Sequence, residues 1–339
     1  MSEKYLVNPS PHYRCGDTTP SIMRDVIISM LPVLGGSVVF FGFRSLMLTL
    51  VSVAACLAFE SLFNLITKRT NTVGDLSAVV TGMLLAFNLP VVTPYWMVVI
   101  GAFFAIVVVK CLFGGIGKNF LNPALAARAF LFSWPTIMTT FTKPMQEIYY
   151  QFSFVFGEPM FVDGVVSDSV DAISGATALK SLKEGVLPDI ELWDLFIGNV
   201  PGSIGETSAL LILIGFVYLL CRKVIRWHIP VCYLGTVALL TYLFPAEGID
   251  NLTYMGYELL SGGLMLGAVF MATDYTTSPL TRRGKVVYAV GCGALTVILR
   301  TYGDIPEAVS YSILIMNVMT LVLDRYLKPR RYGIGGEHA

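Results

Sequence analysis

Charge is what this sequence has least of. Only 14% of its 339 residues are Asp, Glu, Lys or Arg, and 23 basic residues balance 23 acidic ones to a formal net charge of zero. Soluble domains carry about 25% charged residues, so a soluble enzyme, a coiled coil and a disordered chain are all excluded. Without a basic excess there is no surface to neutralise phosphates, which excludes nucleic acid as a partner. Histidine is scarce as well, with three in the chain, and the six cysteines include no Cys-x-x-Cys pair. Neither residue makes a metal-ligand pattern, and the cysteines read as reduced core residues. An apolar leader is also missing: residues 1–21 are polar, so no cleaved signal peptide is expected.

Hydrophobic residues, by contrast, make up 55% of the chain, and mean hydropathy is +0.70. That excess points to a polytopic protein of the lipid bilayer. Ten apolar runs can be marked. Five lie in the first half: Val26–Phe43, Leu46–Ile66, Leu76–Leu89, Trp96–Phe113 and Pro123–Thr140. Five lie in the second: Ser208–Cys221, Ile229–Phe244, Leu259–Thr273, Val286–Leu299 and Ala308–Leu323. Several fall short of the about 20 residues that span a bilayer as a helix. Leu76–Leu89 and Leu259–Thr273 in particular read as broken, half-length helices. With the N-terminus placed in the cytoplasm, 17 of the 23 basic residues fall on the inner side and 5 on the outer, with Arg128 inside a span. This bias orients ten spans with both termini cytoplasmic.

One long polar segment, Phe141–Thr207, separates the two sets of runs. Its ten acidic and three basic residues give it a charge of −7, and the topology puts it outside. Loops of this length are usually functional. The halves also echo one another: Val108–Ile116 resembles Val297–Ile305 at an offset of 189 residues, and Pro90 meets Pro279 at the same offset. Five spans per half is an odd number, so such repeats have opposite topology, an arrangement that many transporters use to build a midplane site. The expected organisation is therefore a cytoplasmic segment at 1–21, a five-helix repeat at 22–140, an outer loop at 141–207, a second repeat at 208–323 and a cytoplasmic tail at 324–339. The fold class is all-α, about ten transmembrane helices as two inverted five-helix repeats.

The sharpest motif lies in the outer loop: Asp171-Ala172-Ile173-Ser174-Gly175-Ala176-Thr177. Its small residues expose a hydroxyl, Gly175 permits unusual backbone angles, and nothing bulky beside Thr177 blocks modification by another protein. Asp-x-x-Ser-Gly-Ala-Thr in the outer loop of a ten-span chain resembles the flavinylation motif of the RnfD/NqrB family, and the length is most like the RnfD members. The resemblance implies FMN on Thr177 through a phosphoester, installed by an extracytoplasmic flavin transferase that recognises Asp171, Ser174, Gly175 and Ala176. Where the family commonly has Pro after the Thr, this chain has Ala178. Lys180 and Lys183, which follow, are compatible with facing the phosphodiester charge.

The resemblance runs along nearly the whole chain. Gly114-Gly115-Ile116-Gly117-Lys118-Asn119-Phe120-Leu121-Asn122-Pro123 looks like the family's Gly-rich segment. By itself it breaks a helix at Gly114–Gly117 and restarts one at Pro123. It is not a P-loop, because Lys118 is followed by Asn and the glycine spacing is absent. The family implies a non-covalent riboflavin near Asn119 and Asn122, while their spacing alone is equally that of helix caps. Ionisable residues at membrane depth are costly and conspicuous. Glu60 has the position of a membrane glutamate associated with the cation path in NqrB relatives. The bland alternative is that Glu60 and Arg128 form an internal pair or snorkel to an interface.

The family implies a membrane subunit of an Rnf-type complex that relays electrons between ferredoxin and NAD with coupled Na⁺ or H⁺ translocation. Its implied partners are the other Rnf subunits, including a second flavinylated one. Two alternatives stay open at this point: an NqrB-like subunit of a Na⁺-pumping NADH:quinone reductase, and a urea-transporter-like channel with no redox role.

Overall fold

A computed structural model describes residues 18–69, 72–141, 144, 178–183, 185–188, 190–206, 208–246, 248–303 and 308–327. The described residues form helices and turns. The first half contains α1 (Thr19–Phe41), α2 (Phe43–Ile66), α3 (Ser77–Phe87), α4 (Tyr95–Phe103), α5 (Pro123–Leu131) and the single turn α6 (Pro135–Met138). The second contains α7 (Ala178–Lys183), α8 (Leu192–Ile197), α9 (Ala209–Cys221), α10 (His228–Leu243), α11 (Asn251–Leu260), α12 (Leu264–Leu266), α13 (Arg282–Tyr302) and α14 (Ala308–Tyr326). Two helices continue in the wider π form, α4 through Phe104–Cys111 and α12 through Gly267–Met271. Among the described residues α1, α2, α13 and α14 are long and apolar enough to cross a membrane, and α3, α4 with its π extension, α9 and α10 are shorter apolar helices.

α2 shows which solvent the bundle is built for. Its buried face carries Arg44, Ser45, Leu48, Thr49, Ser52, Cys56, Glu60 and Asn64. These recur every three or four residues, so the stripe that faces the interior is largely polar. Leu50, Leu62, Leu65 and Ile66 face outward and are half or more exposed. A soluble helix has the reverse polarity. The hydroxyls on the inner stripe return to backbone carbonyls, Thr49 to Ser45 and Ser52 across to Gly82 at 2.7 Å. Each of these hydroxyls is thereby satisfied without water, as a hydrocarbon solvent demands.

Helix boundaries follow local chemistry. α1 opens on a capping box, with the Thr18 side chain accepting from the Ser21 N–H and the Thr18 N–H donating to the Ser21 hydroxyl. The Gly-rich segment breaks as expected: Gly114, Gly115 and Gly117 all take positive φ, and α5 restarts on the Asn122 cap with Pro123 at its first position. One expectation needs correcting. The run Pro123–Thr140 is not one continuous helix. α5 ends near Phe132, and Pro135, which has no N–H to donate back and pushes its predecessor out of helical geometry, leaves Trp134 at φ −112° and ψ 69° before the α6 turn. The run Leu259–Thr273 is broken as expected: Leu259 and Leu260 end α11, and the positive-φ Gly262 and Gly263 separate them from α12.

Small residues let the helices approach closely. A Cβ at Gly82 would stand 2.7 Å from the Cα of Val53, so α3 lies directly against the α2 backbone. We expect Gly82→Val to force these helices apart and lower stability by about 1–3 kcal/mol. Gly35→Ala, where nothing lies within 4 Å, should leave it unchanged or slightly higher. Thermal unfolding in detergent compares the two.

Candidate functional site

The two half-length elements organise the interior. α3 starts after Leu76, whose φ is +63°, with Asp75 Oδ1 accepting from both the N–H and the hydroxyl of Ser77, at 2.8 and 2.5 Å. It stops at Asn88, whose amide donates back to the Leu84 carbonyl at 2.6 Å. The Gly205 and Ile204 N–H groups then donate to the carbonyls of Phe87 and Leu89, at 2.9 and 3.1 Å. α12 starts after Gly262 and Gly263, and the Glu206 carboxylate lies where a Cβ on Gly263 would be. Each short helix therefore has a carboxylate at its N-terminal end, where the partial positive charge of the backbone favours one.

Three buried ion pairs surround these helices. Lys110 Nζ donates to both carboxylate oxygens of Glu60, each at 2.9 Å, and to the Ser77 hydroxyl at 2.6 Å. Thr72 donates to the same Glu60 at 2.6 Å and accepts from the Asn64 amide. Arg128 Nη1 reaches Glu206 and Asn88 at 2.9 Å and the Ser310 hydroxyl at 3.0 Å. Arg300 holds the Glu258 carboxylate at 2.5 Å and its carbonyl at 2.7 Å, and also donates to the carbonyls of Ser261 and Gly262. All six charged side chains are 5% exposed or less. Removing one member of such a pair strands a charge in low dielectric and costs about 3–5 kcal/mol.

This overturns the expectation that Glu60 and Arg128 pair with each other or snorkel. Glu60 goes to Lys110, 50 residues away in sequence, and Arg128 goes to Glu206, 78 away. Glu206, one of the ten acids of the outer segment, Lys110, one of the basic residues assigned to the inner side, and Arg44 and Arg300, assigned to the outer side, are all interior groups. Arg44 is 2% exposed and donates to the carbonyls of Val91 and Thr93. Composition marks such residues only as rare charges beside apolar runs, and nothing in the sequence pairs them.

A cleft of about 750 Å³, counting its open mouth, lies beside α3. Met23, Val26, Val80, Leu84, Leu219 and Phe270 form its apolar wall, and Ser77, Lys110, Asn119, Asn122, Asp274 and Thr276 its polar edge. Asn122 caps α5 by accepting from Ala124 and Leu125, and its amide donates to the Met271 carbonyl at the end of the α12 π extension. Asn119 donates to the Leu121 carbonyl and the Thr276 hydroxyl, both at 3.1 Å. The two asparagines therefore hold the cleft wall together and border the cavity at once. Apolar walls with a few polar groups on one edge are the usual lining of a small-molecule site. Among the described residues, no group of three His, Cys, Asp or Glu side chains is placed to hold a metal.

The motif residues Asp171, Ser174, Gly175, Ala176 and Thr177 lie outside the described residues. The helix that follows them, α7, is docked: Leu179 and Leu182 are buried, and Lys183 Nζ donates to the Gly303 carbonyl at 2.7 Å.

Polar and charged side chains inside, apolar side chains outside and interrupted short helices define a multi-pass membrane protein. The chain belongs to the NQR2, RnfD, RnfE family, whose model matches residues 6–333. It is 45% identical over 339 residues to a subunit of the Na⁺-translocating ferredoxin:NAD⁺ oxidoreductase complex of Acetobacterium woodii, covering 98% of this chain and 97% of that one. It is 36% identical to a subunit of the proton-translocating ferredoxin:NAD⁺ oxidoreductase complex of Clostridium ljungdahlii, with 97% and 96% covered. To a subunit of the ion-translocating oxidoreductase complex of Stutzerimonas stutzeri it is 38% identical, with 92% and 91% covered.

If the Arg128–Glu206 pair is a clamp between halves, Arg128→Met alone should cost about 3–5 kcal/mol. Adding Glu206→Met should restore most of that loss. Unfolding of the two variants in detergent measures the coupling, and simple additivity would refute the clamp.

Proposed function

We propose that the chain is the flavin-carrying, RnfD-type membrane subunit of an Rnf complex, relaying electrons between ferredoxin and NAD with coupled translocation of Na⁺ or H⁺. The observation that carries this reading is Asp-x-x-Ser-Gly-Ala-Thr at 171–177, in a chain nearly half identical to a subunit of such a complex along its whole length. Thr177 carries FMN through a phosphoester, and Asp171, Ser174, Gly175 and Ala176 present it to an extracytoplasmic flavin transferase. The other Rnf subunits, one of them also flavinylated, are its partners.

The helices pair as two inverted repeats, α1 with α9, α2 with α10, α3 with α12, α4 with α13 and α5 with α14. Support comes from the third member of each set being a half-length helix that starts directly after a positive-φ residue. A long outer loop and both termini on the cytoplasmic side of a bacterial or archaeal inner membrane follow from the bias of basic residues. That bias persists when the buried Arg44, Lys110 and Arg300 are left out.

The donor set of the cleft fits a second, non-covalent flavin such as riboflavin. Asn119, Asn122, Thr276 and Lys110 would face its polar rim, and Val80, Leu84 and Phe270 its ring. A bound flavin supplies electron transfer. The chain's own residues exclude water along the apolar wall and fix the orientation of the polar edge. Tethering of FMN at Thr177 keeps that carrier at high effective concentration beside its partner. Glu60, a carboxylate at membrane depth, lies on the cation path.

The test is a denaturing gel of protein made together with the flavin transferase, imaged under ultraviolet light. The band should fluoresce in the wild type and go dark in Thr177→Val, and a dark wild-type band sinks the proposal. Glu60→Gln should keep the fluorescence while lowering ion-coupled turnover at least about tenfold, the scale of losing one charge-assisted contact.

A further inference from the structure

The Lys110 ammonium occupies a nest of oxygen atoms. Its three N–H groups meet Glu60 Oε1, Glu60 Oε2 and Ser77 Oγ. The surrounding groups aim these oxygens inward. Asp75 takes the Ser77 proton, so the serine lone pairs face Lys110. Thr72 donates to Glu60 Oε1, and Asn64 in turn donates to the Thr72 hydroxyl. Carboxylate and hydroxyl oxygens converging on one point, with no sulfur or nitrogen among them, are the ligand set of a hard cation. Here the occupant carries a single positive charge and belongs to the protein.

We propose that Glu60 and Ser77 form a binding site for a monovalent metal cation, with Thr72 holding the carboxylate in place, and that Lys110 is its built-in competitor. Geometry gives the exchange a route. Lys110 and Ser77 border the cleft, whereas Glu60 is 1% exposed and lies behind them. The ammonium thus stands between the cleft and the carboxylate. Swinging on its four-carbon arm, it leaves Glu60 and enters the cleft, and the mobile cation takes the oxygens it vacates. Charge balances, because one positive charge replaces another on the same carboxylate. Negative charge arriving in the cleft draws the ammonium out, which links the occupancy of the cleft to the loading of the site. The π extension of α4 supports this role: its wider turns set Lys110 inward beside Cys111, and such insertions in helices recur at functional positions.

This inference rests on the reading of Glu60 as part of the cation path, and the two fail separately. The experiment uses the assembled complex and follows unfolding of this subunit in NaCl against choline chloride at equal ionic strength. The wild type, its site filled by Lys110, should be indifferent to the exchange of salts. Lys110→Gln should unfold at lower temperature in choline and recover by several degrees as Na⁺ or Li⁺ is added, as mass action requires for a ligand bound only by the folded state. The added substitution Glu60→Gln should abolish that recovery. Should Lys110→Gln assemble only when Na⁺ is present, that too supports the site. Lys110→Met, which keeps the volume of the arm, guards against a fault peculiar to glutamine. Absence of a Na⁺ response in both variants, or an equal response in the double variant, overturns the site. Unchanged ion-coupled turnover in Glu60→Gln, with the Na⁺ response of Lys110→Gln present, overturns the cation-path reading instead.

Discussion

An unpaired charge in a water-poor interior costs several kcal/mol even after relaxation, which is a large fraction of a domain's whole stability. The interior of this bundle is arranged around that constraint. Six buried charged side chains form three closed pairs, and each pair joins segments that the chain keeps far apart. Lys110–Glu60 ties the end of α4 to the end of α2, Arg300–Glu258 ties the end of α13 to α11, and Arg128–Glu206 ties α5 to the stretch of chain that leads into α9. Apolar packing cannot supply this registration alone, because lipid is as apolar as the helices and offers little drive for them to associate. The pairs select one arrangement among many that would bury similar area.

The half-length helices depend on the same constraint. A helix that stops inside the bundle leaves backbone carbonyls without partners. α3 can stop at Asn88 because Ile204 and Gly205 bring their N–H groups to it and because Arg128 bonds the Asn88 side chain. α11 can end inside because Arg300 takes the carbonyls of Glu258, Ser261 and Gly262 at its C-terminal end. Charge pairing and helix interruption are therefore linked: Arg300, which neutralises Glu258, also takes the carbonyls at the break after α11, and Arg128, which neutralises Glu206, holds the Asn88 side chain at the end of α3.

Much of this scaffold is legible in the amino-acid order, and the reason is local. Gly114–Gly117, Asn122-Pro123 and Leu89-Pro90 act through steric and hydrogen-bonding rules that need only neighbours, so the break before α5 and the shortness of α3 can be read directly. The division of Pro123–Thr140 is also written in Pro135, but the hydropathy of the run masks it. The ion pairs are not legible. Lys110 lies near the end of the run Trp96–Phe113 and counts with the basic residues of the cytoplasmic side. Only the π turn of α4 and the approach of α2 bring it to Glu60. Glu206 sits among ten acids of a loop, and nothing in sequence separates the one that enters the bundle from those that do not. α11 escapes a search for apolar runs because its buried face is made of Tyr254, Tyr257 and Glu258, which hydropathy does not score as a helix.

The Arg300 and Lys110 pairs differ in how they are held. Arg300 is held by four acceptors, three of them backbone carbonyls, and a planar guanidinium so engaged cannot leave without freeing the carbonyls at the break between α11 and α12. Lys110 is held only by side chains, those of Glu60 and Ser77, and its ammonium is a compact charge on a flexible stem. It can move while the backbone around α3 stays closed, because Asp75 caps that helix independently. The two pairs therefore differ in how freely they can open. The arginine pair is a fixed structural joint, whereas the lysine pair can open at low structural cost, which the proposed exchange requires.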